Sequence, residues 1–194
     1  MSVFQMNEEE LRDFRTLASE WRKDPYICIM KSFIQHGTIT TYDHCLNVAA
    51  MAFWINRRWH LKADERVLVT GAILHDFFLY DWHGRDQGAS HKAEALTACS
   101  ERLKRLPDSK ITGREIGVGP GDWTHSYKHP LIAGENAQKL FGVDLRTRKV
   151  IESHMWPYTF WRLPGSREAW IVSIADKYCS AKETLFCRRK GGRS

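Results

Sequence analysis

The sequence predicts an all-α fold. Apolar residues recur at steps of three and four in most segments, strand-like alternation is almost absent, and cap residues precede several of the periodic runs. Residues 7–21 carry Leu11, Phe14, Ala18 and Trp21 on one helical stripe, widened by Leu17, so a first helix buries that face. Asp24 and Pro25 make a cap and first-turn pair, which opens a second helix through Ile29 and Phe33 that stops near Gly37. Thr40 to Asp43 matches the hydroxyl-and-carboxylate start signal and precedes a third, long amphipathic helix reaching Trp59. His44, Val48, Met51 and Ile55 share a face of it, which turns His44 inward. A fourth helix starts near Ala63, carries Val67, Leu68, Gly71 and Leu74, and ends near His75, Asp76 and Phe77. Further helices are expected over 130–141, 145–155 and 166–186, the last following the Pro164-Gly165 break.

Between these runs, residues 84–121 hold six of the 13 glycines. A helix over 89–106 is compatible with the pattern, and the remainder reads as loop. The segment is too short to bury a core of its own, so it reads as an insertion or lid on one domain spanning 1–187, followed by a basic tail over 188–194.

Composition narrows the class. With 43% hydrophobic and 27% charged residues the chain matches a soluble globular protein. No apolar run approaches the roughly 20 residues of a bilayer span, and the first residues lack a signal-peptide pattern, which predicts a cytoplasmic protein without a membrane partner. Five scattered cysteines with no C-x-x-C pair indicate neither a disulfide framework nor a thiolate zinc site. The net charge of +6 favours an anionic ligand. Because the positive residues are spread along the chain, with only Arg188, Arg189, Lys190 and Arg193 clustered at the end, nucleic acid is not the expected partner.

The chemistry-bearing residues lie within or at the edges of helices. His75 and Asp76 close an apolar helix, where burial of both requires a partner; a metal ion is the simplest one, and a satisfied structural pair is the competing reading. Asp176 sits mid-helix among apolar residues, where an unpaired carboxylate is heavily penalised and needs a cation. Lys177, a quarter-turn away, is not its natural partner. His44, His129 and His154 complete the set.

These residues, in the order His44, His75-Asp76, Asp176, resemble the H…HD…D pattern of the HD-domain metal-dependent phosphohydrolases. The resemblance covers about residues 39–83 and 123–184 and implies an all-helical HD-type bundle, with the glycine-rich stretch outside it. His129 and His154 extend the pattern to H…HD…H…H…D, which looks like the family's dinuclear branch. By that resemblance His44, His75, Asp76 and Asp176 hold one divalent ion, and Asp76 bridges to a second held by His129 and His154. The mixed nitrogen and oxygen set suits iron, manganese or zinc better than calcium or magnesium alone. His125 competes with His129 for the ligand role. His129 is preferred because it precedes Pro130 at an expected helix start, while His125 falls in loop. Phe77-Phe78 after the His-Asp pair departs from the cyclic-dinucleotide phosphodiesterases and from the guanosine alarmone hydrolases of the superfamily.

A phosphohydrolase acting on a nucleotide or another small phosphorylated compound is the expected activity, with Asp76, His75 and Asp176 carrying the chemistry. His83, Lys128, Lys177 and Arg162 are candidates for phosphate binding, as is Arg167, although a surface role competes for both arginines. Glu183, two turns beyond Asp176, is placed either behind a ligand or at the surface. Trp82, Trp123 and Trp156 adjoin site residues, with core packing the favoured role. His36, His60 and His91 have no such context and read as solvent or cap groups. A diiron oxygenase and a non-catalytic sensing module are the alternative functions.

Overall fold

The computed structural model describes residues 6–79 and 125–191, with side chains to 185. The expected lid over 84–121, its candidate helix, His83, Trp82, Trp123 and the end of the basic tail lie outside the described residues. Seven α-helices are described: α1 (Glu8–Lys23), α2 (Pro25–Ile29), α3 (Thr41–Arg58), α4 (Glu65–Leu74), α5 (His125–Phe141), α6 (Leu145–Ser153) and α7 (Arg167–Gly191). A two-stranded hairpin, β1 (Ile34–His36) and β2 (Ile39–Thr40), stands between α2 and α3.

Local chemistry sets the helix boundaries. Asn7 and Glu10 form a reciprocal capping box on α1. Asp24, Thr40, Asp64 and Asp144 each accept backbone N–H bonds at the starts of α2, α3, α4 and α6. Gly142, at φ +63°, ends α5 and returns its N–H to the carbonyl of Gln138.

Two expectations are corrected. The second helix stops at Ile29 and passes through a 3-10 turn (Met30–Ser32) into the hairpin, instead of continuing past Phe33. Gly37 adopts φ +58° in the two-residue connection, a conformation suited to a tight hairpin and not to a helix end alone. The helix expected to start at Pro130 is already formed at His125, so Pro130 lies inside α5. Proline there removes one intrahelical hydrogen bond, a cost met by a turn whose Pro130 is buried along with His129, Ile132 and Ala133.

The core is built around α4, whose residues from Val67 to Leu74 are all buried. Helix α3 packs on α4 and α7, and α6 packs on α4, α5 and α7. Gly71 makes the approach of α4 to α6 possible, because a β-carbon there would lie 2.7 Å from Cγ1 of Val150. Glu168, 2% exposed, ties three helix starts together by accepting from the N–H of Asp64 at 2.8 Å and from Arg146 at 2.7 Å.

Two stability predictions follow from these contacts. Gly71→Ala, which on an exposed helix would gain about 1 kcal/mol, is expected here to lose about 1–2 kcal/mol through overpacking. Val150→Ala in the same chain should recover part of that loss in urea unfolding. Burial works against the charge on Glu168, but the Asp64 N–H and the other hydrogen bonds outweigh it and hold its pKa below the usual 4.5. A depressed carboxylate stabilises the fold above its unfolded pKa, and that contribution disappears as pH falls through the folded value. Glu168→Gln should therefore cost about 1–2 kcal/mol at pH 7. Its difference from the unmodified protein should shrink below pH 4.5 in unfolding curves taken across the acid range.

Candidate metal centre

His75 and His154 are the C-cap residues of α4 and α6, and each meets a carbonyl three residues back on its own helix. The Nδ1 of His75 lies 2.7 Å from the carbonyl of Ala72, and that of His154 lies 2.7 Å from the carbonyl of Ile151. In α5 the Nδ1 of His129 is 2.9 Å from the carbonyl of His125. A carbonyl oxygen only accepts, so each Nδ1 carries a proton, and Nε2 is the nitrogen left to face a cation. His44 follows the same rule on α3, with its Nδ1 directed at the Glu183 carboxylate 2.8 Å away. Glu183 is fixed in turn by the Asn47 amide at 2.9 Å.

The four Nε2 atoms converge on two buried carboxylates. His44 Nε2 lies 3.2 Å and His75 Nε2 3.7 Å from Asp176 Oδ1. His75 Nε2 is 3.5 Å from Asp76 Oδ2. The other oxygen of Asp76, Oδ1, faces His129 Nε2 at 3.3 Å and His154 Nε2 at 3.5 Å, and those two nitrogens are 3.1 Å apart. The two oxygens of Asp76 thus face different imidazoles, Oδ2 that of His75 and Oδ1 those of His129 and His154. Donor atoms of His44, His75 and Asp176, and of His75, Asp76 and His154, are close enough to share an ion.

The donor set fits a divalent metal. Asp76 Oδ1 and His75 Nε2 are buried and make no hydrogen bond among the described residues. Such orphaned donor and acceptor atoms are costly unless a ligand completes them. Burial pushes the Asp76 carboxyl up, but His75, His129 and His154 outweigh it and hold the group well below the usual range. Burial likewise opposes charge on Asp176, which His44, His75 and Lys177 hold well below its usual value. On the imidazole side, burial disfavours a charged His44, yet Asp176 and Glu183 raise it to about 10. Burial and the charge of His75 together keep His154 well below its usual value.

The remaining candidate residues sort by position. Lys177 does pair with Asp176, contrary to the sequence reading: its Nζ donates to Asp176 Oδ2 at 2.7 Å and to the carbonyl of His154 at 3.0 Å. The four-carbon stem spans the quarter-turn that separates the two Cα atoms, and the end of α6 supplies the second acceptor. His125 is in the helix and buried, its ring stacked on that of His129 at 4.6 Å, so it supports His129 through both ring and carbonyl. Lys128 is exposed on α5, and Arg167 bonds the carbonyl of Lys62 at the surface. Trp156 packs edge-on against Trp170. Arg162 lines a groove with Leu131, Lys149 and Leu163.

Several contributors escaped the sequence reading. Gln35, on the hairpin, donates to Asp76 Oδ2 at 2.6 Å while its own oxygen accepts from Thr41. His36, read as a solvent or cap group, has its ring 5.5 Å from that of His44, and its donor atom groups with His44 and Glu183. Ser180 donates to Asp176 Oδ1 at 3.2 Å. Helical spacing would have found Asn47 and Ser180, three and four residues beyond His44 and Asp176. Nothing local signals Gln35, because its segment was read as helix.

Helices that bury four imidazoles and two carboxylates around one point define a protein able to hold a divalent metal. The chain belongs to the HD-domain family, whose model, described as HD domain, matches residues 41–181. HD domains bind divalent metals, and most are metal-dependent hydrolases. No curated protein and no solved structure matches the chain. Among the described residues, no helix is long and apolar enough to cross a membrane.

Cys179 lies one turn from Asp176 on α7, and burial, reinforced by Glu183 and Asp176, pushes its thiol up to about 12. It should resist iodoacetamide at pH 8 in the folded protein and react once the chain is unfolded, as read by peptide mass mapping.

Proposed function

We propose that this chain is a cytoplasmic phosphohydrolase that works with two divalent ions on a nucleotide or another small phosphorylated compound. The observation that carries the reading is the convergence of four Nε2 atoms on two carboxylates, with Asp76 offering one oxygen to His75 and the other to His129 and His154. His44, His75, Asp76 and Asp176 would hold one ion, and Asp76, His129 and His154 the other. Iron, manganese or zinc suits this donor set, and magnesium is the weaker match. When bound, such ions lower the pKa of water to about 7 and neutralise charge on the phosphoryl oxygens.

The chain's own residues orient and hold. The carbonyls of Ala72, His125 and Ile151 and the carboxylate of Glu183 aim the imidazoles, so that little reorganisation is needed when a cation or substrate arrives. Gln35 occupies Asp76 Oδ2 and leaves Oδ1 to the His129 and His154 side. Lys177 holds Asp176 from the partly open side of the cluster. With Lys128 and His83, it is assigned to the phosphate of the substrate. Arg162 is not.

Manganese- or iron-loaded protein should release phosphate or nucleoside from a member of a nucleotide panel. Asp76→Ala should abolish that release and bring metal below one ion per chain by elemental analysis, whereas His129→Ala should retain one ion. Release that survives Asp76→Ala, or oxygen consumption by the reduced iron form without phosphate release, would overturn the proposal. Glu183→Gln is expected to weaken metal binding by about 10- to 100-fold, measured by chelator competition.

A further inference from the structure

A groove of about 840 Å³ runs along the outer side of α6, bounded by Leu131 of α5, Ala169 of α7 and the chain around Arg162. Leu145, Arg146, Lys149, Glu152 and the buried Ser153 line it from α6, whereas Thr147, Val150, Ile151 and His154 turn to the other side of that helix. The groove therefore opens across α6 from the metal centre. Its volume falls in the range of small-molecule sites, roughly 300–1,000 Å³.

Its lining is apolar with surplus positive charge. Leu145 and Leu163 are each 63% exposed and Leu131 is 37% exposed, an arrangement that leaves three large apolar side chains around one concavity. Arg146 is neutralised by Glu168 at 2.7 Å, and Glu152 is held by Arg148 at 2.6 Å. That leaves Lys149 and Arg162 to set the sign of the groove. The Nη1 of Arg162 is buried and has no hydrogen-bond acceptor among the described residues. A guanidinium nitrogen withdrawn from water without an acceptor is costly, and an anion paired with the accessible part of the half-buried Arg162 offsets the charge left without a carboxylate partner among the described residues.

We infer that this groove binds a small organic anion, with an apolar body on Leu131, Leu145 and Leu163 and its charged head on Arg162 and Lys149. The site is separate from the metal centre, and the inference stands or falls independently of the phosphohydrolase reading. The test uses the full chain and the fluorescent anion 8-anilinonaphthalene-1-sulfonate, titrated with and without added manganese. Saturable binding at one site is expected in both conditions. Arg162→Gln should weaken it about tenfold and Lys149→Gln severalfold, while Lys139→Gln, an equal charge loss outside the groove, should leave it unchanged. Octyl phosphate should displace the probe at concentrations where neither octanol nor inorganic phosphate does. Equal binding by the Arg162→Gln and Lys139→Gln proteins, equal displacement by octanol, or the absence of saturable binding in the unmodified protein would each overturn the inference.

Discussion

Four imidazoles share one constraint: each gives its Nδ1 proton to an oxygen of the scaffold, so that each Nε2 faces Asp76 or Asp176. Three of those oxygens are backbone carbonyls of the helix that bears the histidine. Two of these histidines, His75 and His154, stand where a helix ends and its last carbonyls lack intrahelical partners. The same helix ends point the negative pole of their dipoles at the cluster, which favours a cation there. Local helix termination and site assembly are thus one event on α4 and α6.

The surrounding fold is arranged to keep the cluster buried and aligned. Helix α4, apolar along most of its length, can be central because Gly71 lets α6 approach it closely. Helix α7 is long enough to present Asp176 and Glu183 two turns apart, one carboxylate at each nitrogen of His44. The hairpin places Gln35 on Asp76. Buried carboxylates of this kind are stable only when surrounded by positive charge and hydrogen-bond donors. The imidazoles, Lys177, Ser180 and Gln35 supply these, and a divalent ion would bind through the same nitrogen and carboxylate atoms.

Much of this was legible along the chain because helices carry their own signals. Apolar spacing placed the face of α3 that bears His44, and the caps at Asp24 and Thr40 marked helix starts that the structure reproduces. The burial of His75, Asp76 and Asp176 could be expected from their apolar surroundings. The end of α2 and the start of α5 could not be read this way. A short hairpin has too few residues to show alternation, and the penalty of Pro130 inside a helix is outweighed by packing that no local window contains.

The sequence by itself determined the helical class, the family pattern and the identity of the six clustered residues, since each depends on spacing within one segment or on order along the chain. Tertiary structure alone decided which atoms face each other. The grip of Gln35 on Asp76, the bond of Lys177 to the His154 carbonyl and the groove that Arg162 shares with Lys149 depend on contacts that are set when distant segments pack. Periodicity fixes which side of a helix is buried, but the partner buried against it is set by how the helices pack in three dimensions.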